Sequence, residues 1–174
     1  MHFLIAVLLS VVYLGFNYLI LSKTYMRDSV DYFRFLESSV RNGALAEIQS
    51  DHLLYPPAAF LFLKAVQSVG HTGNVVFPLQ VLSMIVGAIT ASIFYLFTYG
   101  LYRDSVTAMV SSLFMVFSYT FWRYSMEAMP YIFAVSFSVV TLFTAIAILK
   151  HPKPHHKIPL TVGLAIASTR PHKF

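Results

Sequence analysis

Phe3 to Leu21 reads FLIAVLLSVVYLGFNYLIL, a run of 19 residues without a charge. As a helix rising about 1.5 Å per residue, it covers the hydrocarbon depth of a bilayer. A secretory leader is the rival reading. Only Met1 and His2 precede the run, neither of them Lys or Arg, and no small-x-small cleavage site follows it. An uncleaved membrane anchor fits better. The rest of the chain repeats the theme. Apolar runs occupy residues 53–69, 75–97, 106–121 and 131–149, with short polar turns between them. The sequence therefore predicts an all-α polytopic transmembrane helix bundle of four to five spans.

Composition agrees with lipid as the solvent. The chain of 174 residues is 57% hydrophobic and 11% charged, whereas soluble domains are about a quarter charged. It has no cysteine, which excludes disulfides, zinc-thiolate and iron–sulfur centres, and a Cys nucleophile. The net charge is +5, but the bases form no compact patch. The 16 Phe and 11 Tyr suit span cores and interface belts better than base-stacking platforms. No Gly-rich phosphate loop, hydrolase nucleophile motif, zinc-protease motif or nucleic-acid module is present.

The individual runs differ. Leu53 to Val69 opens with LLYPP, which puts Pro56 and Pro57 in a first helical turn where missing amides cost little. Its Lys64 is close enough to one end to snorkel. GHTGN and TYGLYRDS read as turns, the latter with Asp104 or Ser105 as a helix cap. Val106 to Phe121 has only 16 residues and many hydroxyls. It is either a thin span or a half-membrane helix that does not cross. WRYSMEAMP at 122–130 is a polar interruption. KHPKPHHK at 150–157 is a basic connector; its histidines at 151, 155 and 156 would share a metal only on a helix, which Pro152 and Pro154 oppose. The final apolar stretch, 158–168, has 11 residues and is too short to cross. This ending leads us to expect an incomplete bundle, from a fragment, a truncated gene product or a shortened paralogue.

The one long polar interval is 22–52, with five acids and four bases. Val30, Phe33, Leu36, Val40 and Ala44 recur at helical spacing, with Asp31, Arg34, Ser38 and Arg41 opposite. This predicts an amphipathic helix over about 29–41, lying along the membrane surface and stopped by Asn42-Gly43. Asp28 and Asp31 have the spacing of a capping box, a purely structural role. Asp51 and His52 could equally mark the interface where the next span begins, as could Tyr55.

Three elements then fall in a telling order: RDSVDYFRFLES after the first span, DHLLYPPAAFLF opening the second, and FWRYSMEAMPYIFA before a later one. This layout resembles the GT-C superfamily of polytopic glycosyltransferases, closest to the branch related to protein O-mannosyltransferases. The resemblance covers residues 1–150. It implies transfer of a sugar from a polyprenyl-phosphate donor to an acceptor at the non-cytoplasmic face, with no cofactor and no secure metal site. It also implies partners limited to that lipid-linked sugar and membrane lipids, without nucleic acid. The membrane would be a bacterial inner membrane or a eukaryotic endoplasmic reticulum. Carried over residue by residue, it makes Asp31 the general base, with Asp28 beside it. His52, Arg27, Arg34 and Tyr55 would contact the donor, and Glu127 is a secondary candidate. The pattern departs from the family at one point: Tyr131 follows Glu127 by four residues rather than two. The alternative is a non-enzymatic membrane protein, transporter-like or an assembly subunit.

Two arguments about orientation disagree. With five crossings, an external N-terminus puts loop 22–52, turn 98–105 and the tail inside, carrying 4, 1 and 5 Lys/Arg, and leaves Arg123 outside. The positive-inside rule favours this. The resemblance requires loop 22–52 outside. Both the Glu127 loop and the basic connector then fall on the appropriate sides if segment 106–121 enters and returns.

Overall fold

The computed structural model describes residues 1–21, 27–42, 54–71 and 73–150. Among these, every regular element is a helix. They are α1 (His2–Leu19), α2 (Arg27–Asn42), α3 (Tyr55–Ser68), α4 (Val76–Tyr102), α5 (Ser105–Val116), α6 (Tyr119–Met126) and α7 (Tyr131–Lys150). Three of them, α1, α4 and α7, are long and apolar enough to cross a membrane. The pair α5 and α6, bent by 62°, makes a fourth if counted as one broken span. The chain is an integral membrane protein with a helical bundle.

Helix α4 is the axis of the bundle. It lies antiparallel to α1, and hydroxyls fix the register. Ser92 Oγ donates to the Ala6 carbonyl at 2.7 Å and Ser10 Oγ to the Ala88 carbonyl at 2.7 Å. Small residues let the two backbones approach, as expected where lipid removes most hydrophobic drive between helices. At the far end, the His2 ring stacks on Tyr99 with centroids 3.7 Å apart, and Ser105 Oγ lies 3.5 Å from His2 Nδ1. The start of α5 therefore sits beside the start of α1. Helix α7 runs the same way as α4: Thr90 bonds Ser136 at 2.6 Å, and Phe143 stacks on Phe97 at 4.9 Å.

These contacts decide the crossings. Gln80 Nε2 donates to the Met126 carbonyl at 3.1 Å, while Ser105 lies at the opposite end of α4. The 19 residue steps of α4 from Gln80 to Tyr99 span about 28 Å. The bent pair thus runs from one end of the bundle to the other and does not return. Helix α3 behaves in the opposite way. Its 14 residues reach only about 21 Å, short of the roughly 30 Å hydrocarbon layer. Tyr55 meets Phe133 near the start of α7, ring centroids 5.3 Å apart, and Ser68 is followed closely by the start of α4. Helix α3, the described helix within the expected span 53–69, is too short to count as a crossing, and the described residues hold three spans, or up to four, against the expected four to five.

Local boundaries moved for identifiable reasons. Asp104 caps α5, accepting from Thr107 N at 2.8 Å and Val106 N at 3.3 Å, as expected. The Thr107 hydroxyl, which also donates to it, holds its carboxyl below the usual range. Helix α4 continues past the anticipated turn at 98, with Tyr99 stacked on His2 of α1, and is capped by Arg103, in left-handed conformation with φ 57°. The polar stretch from Trp122 stays helical, so the interruptions lie at 117–118 and 127–130.

Helix α2 is described as far as Asn42. Asp31, Arg34, Ser38 and Arg41 are exposed. Phe33, Leu36 and Val40 are buried against Tyr55, Ala59 and Leu63 of α3, Val76 and Leu79 of α4, and Ala128. The apolar face expected to meet lipid is covered by protein. Lys64 Nζ donates to the Val40 carbonyl at 3.3 Å and sits over the Phe60 ring. Ala44 lies outside the described residues.

The native absence of cysteine makes labelling clean. Single cysteines at Ser38 and Ser68 should react with an impermeant maleimide from one side of sealed vesicles, and one at Asp104 only from the other. Opposite-side labelling of Ser38 and Ser68 would restore α3 as a span.

Candidate functional site

At the end of the bundle that carries α2 and α3, helix α6 stops and the chain turns through 127–130 before α7. Glu127 adopts extended backbone, and Met129 N donates back to the Glu127 carbonyl at 2.9 Å. The turn is fully buried: Met126, Glu127, Ala128, Met129 and Pro130 all lie inside. Glu127 is 1% exposed, and Arg123, one turn earlier on α6, forms an ion pair with it. A charge at membrane depth is expensive unless paired, and such residues usually mark a functional region. Ala128, next to the carboxylate, packs in the same cluster as Phe33 and Leu36 of α2. Helix α2 and the Glu127 turn, about ninety residues apart in sequence, therefore share one end of the molecule.

Beside this turn lies a layer of neutral polar groups. The Tyr13 hydroxyl donates to Ser125 Oγ at 2.9 Å, and Ser125 Oγ donates to the Phe121 carbonyl at 2.8 Å. Gly87 makes room for this contact. A Cβ there would stand 2.5 Å from Ser125 Oγ and 3.4 Å from Tyr13 Cε1. Asn17, fully buried, donates through Nδ2 to the Tyr13 carbonyl at 2.8 Å.

The residues proposed from sequence occupy different settings. Asp31 and Arg34 are exposed on the polar face of α2. Asp28 and Arg27 fall in the first turn of α2, which begins at Arg27, so Asp28 is inside the helix rather than before it; their side chains are outside the described set. His52, with Asp51, lies outside the described residues. Tyr55 is 1% exposed at the start of α3, edge-on to Phe133. Glu127 is buried with Arg123. The structure brings together the helix bearing Asp31, the start of α3 and the Glu127 turn. It puts Asp31 in solvent contact and Glu127 in the interior.

Sequence reasoning missed Asn17, Gln80, Ser83, Ser125 and the role of Arg123. An i, i+4 spacing of Arg123 and Glu127 was a usable signal for the pair. A lone Asn in span one and a lone Gln in span three were weaker signals, because nothing in the sequence says that α1 and α4 face each other there. Among the described residues, no group of three or more His, Cys, Asp or Glu is placed to hold a metal. Compared with known proteins, the chain matches no family model, no curated protein and no solved structure.

Breaking the buried pair leaves a carboxylate without its cation. Arg123→Leu should cost about 3–5 kcal/mol, and Arg123→Leu with Glu127→Leu should recover most of it. Unfolding in detergent measures both, and a single variant as stable as the wild type would show that the pair carries no coupling. Gly87→Ala forces Ser125 away from α4 and should cost roughly 1–3 kcal/mol in the same assay; an unchanged midpoint would show that the helices part easily.

Proposed function

We propose that the chain is a GT-C-like glycosyltransferase, or a portion of one, that transfers a sugar from a polyprenyl-phosphate donor to an acceptor at the non-cytoplasmic membrane face. The observation that carries this reading is the shared cluster joining α2 to the Glu127 turn. The carboxylates of α2, Tyr55 and Glu127 then gather at one end, where a lipid tail stays in the bilayer and its sugar reaches the polar layer. In the four-crossing path Glu127 shares the α2 end and Lys150 lies at the other, without a re-entrant segment. The α2 end also carries Arg27, Arg34, Arg41, Lys64 and Arg123, against Arg103 and Lys150 at the other, so a cytoplasmic N-terminus rests on the resemblance rather than on the positive-inside rule.

In this mechanism Asp31 is the general base. Its carboxylate takes the proton from the acceptor hydroxyl as the acceptor oxygen bonds to the sugar's anomeric carbon. The bond from that carbon to the phosphate oxygen breaks, and the phosphate leaves with the electron pair. Arg34, on the same exposed face of α2, offsets the charge on that phosphate. His52, Arg27 and Tyr55 orient the donor, Asp28 lies one turn before the base, and the Arg123–Glu127 pair fixes the turn behind the site.

A second reading has its own observation. A span broken by 62° next to a buried ion pair is also the architecture of a transporter-like protein. The assay separates the two. Membranes containing the chain, given radiolabelled polyprenyl-phosphate mannose, should transfer label to acceptor. Asp31→Asn should lower that rate by roughly 10²–10⁴ without changing insertion or donor-lipid binding, while Asp28→Asn stays near wild type. Full transfer by Asp31→Asn removes it from the mechanism. No transfer by the wild-type chain supports the non-enzymatic reading.

A further inference from the structure

Asn17 and Ser83 are each 0% exposed. Among the described residues, Asn17 Oδ1 and Ser83 Oγ have no hydrogen-bond partner. Buried polar atoms in that condition are uncommon and costly. Ser83 is unusual within this chain. The hydroxyls of Thr90, Ser112, Ser125 and Ser136 each donate to the carbonyl four residues earlier, which satisfies a hydroxyl within its own helix. Ser83 Oγ makes no such bond, so its proton is available to a group outside α4.

The two residues come from facing helices at one level. The pairs Ala6/Ser92 and Ser10/Ala88 set the antiparallel register of α1 and α4. Carried on by two turns, that register brings Asn17 level with Gln80, Ser83 and Met84, the buried face of α4. Asn17 lies on the buried stripe of α1 with Ala6, Leu9 and Tyr13. The end of α6 closes this level, through Ser125 on Tyr13 and the Met126 carbonyl on Gln80.

We propose that Asn17 and Ser83 form a binding site for one buried water molecule at the junction of α1, α4 and α6. The water donates to Asn17 Oδ1 and accepts from the Ser83 hydroxyl. Water fits both atoms, since Asn17 Oδ1 can only accept and the Ser83 hydroxyl has a proton to give. The groups named at this level are neutral, which suits water better than an anion. Buried waters usually make two to four such bonds to otherwise unsatisfied groups. The water would pin α1 to α4 just inside the Glu127 turn, and it does not depend on the glycosyltransferase reading.

The test uses the full chain in deuterated detergent micelles. With asparagine side chains labelled with nitrogen-15, the Asn17 amide should show a cross-peak to water whose sign reports a long-lived bound molecule. Ser83→Ala should abolish it and lower the unfolding midpoint by roughly 2–4 °C. Rescue by Ser83→Thr, which restores a hydroxyl, separates loss of the bond from loss of packing. Absence of the cross-peak in wild type would overturn the proposal, as would a Ser83→Ala protein of equal or higher stability, the result expected of a dry, unpartnered hydroxyl. Stabilisation by sodium chloride but not choline chloride, lost in Ser83→Ala, would assign the site to a cation and also overturn it.

Discussion

The antiparallel contact of α1 with α4 sets the position of everything else. Its hydroxyl-to-carbonyl bonds at Ser10 and Ser92 fix which residues of the two helices stand level. Between helices in lipid, close packing and such bonds replace most of the hydrophobic force that assembles soluble cores. With that register fixed, His2 brings the start of α5 to one end of α4, and Tyr13 and Gly87 admit Ser125 near the other. The bent pair α5 and α6 is then held at both ends. Its crossing follows from the anchors rather than from the length of either helix.

The same register creates the polar layer. Tyr13, Asn17, Gln80, Ser83 and Ser125 would be unremarkable singly in apolar helices. Facing inward at one level, they form the part of the bundle where hydrogen bonding rather than packing decides the geometry. The Glu127–Arg123 pair extends that layer into the turn before α7. A buried charge pair adds little net stability over an apolar substitute. Its presence next to a helix break therefore points to a role in positioning this turn, on which Ala128 and the α2 cluster rest.

Helix α2 illustrates how one pattern can serve two environments. Its apolar stripe was plain in the sequence. The pattern itself does not say whether lipid or protein covers the stripe, because Phe33, Leu36 and Val40 are equally at home against either. The neighbour that covers them, α3, is too short to cross and packs at the same end of the bundle. For the same reason the charged face remained exposed, and Asp31 and Arg34 stayed in reach of a soluble or headgroup-level partner.

The sequence by itself determined the membrane class, the helices α1, α4 and α7, a cap at Asp104 or Ser105 and the amphipathic character of α2. Each follows from local physics: apolar length, hydrogen-bonding chemistry near a helix start, and a period of 3.6 residues. It also marked Asp31 and Glu127 as residues with chemistry to offer. Tertiary structure alone decided that α3 packs with α2 at one end of the bundle and that 105–126 runs between its two ends as a bent pair. Apolar length cannot distinguish these cases, since both depend on which ends touch α4. Tertiary structure alone also buried Glu127 with Arg123 and set Asn17 level with Ser83, because facing between distant helices is fixed by contacts such as Ser10 on Ala88, which no local pattern encodes.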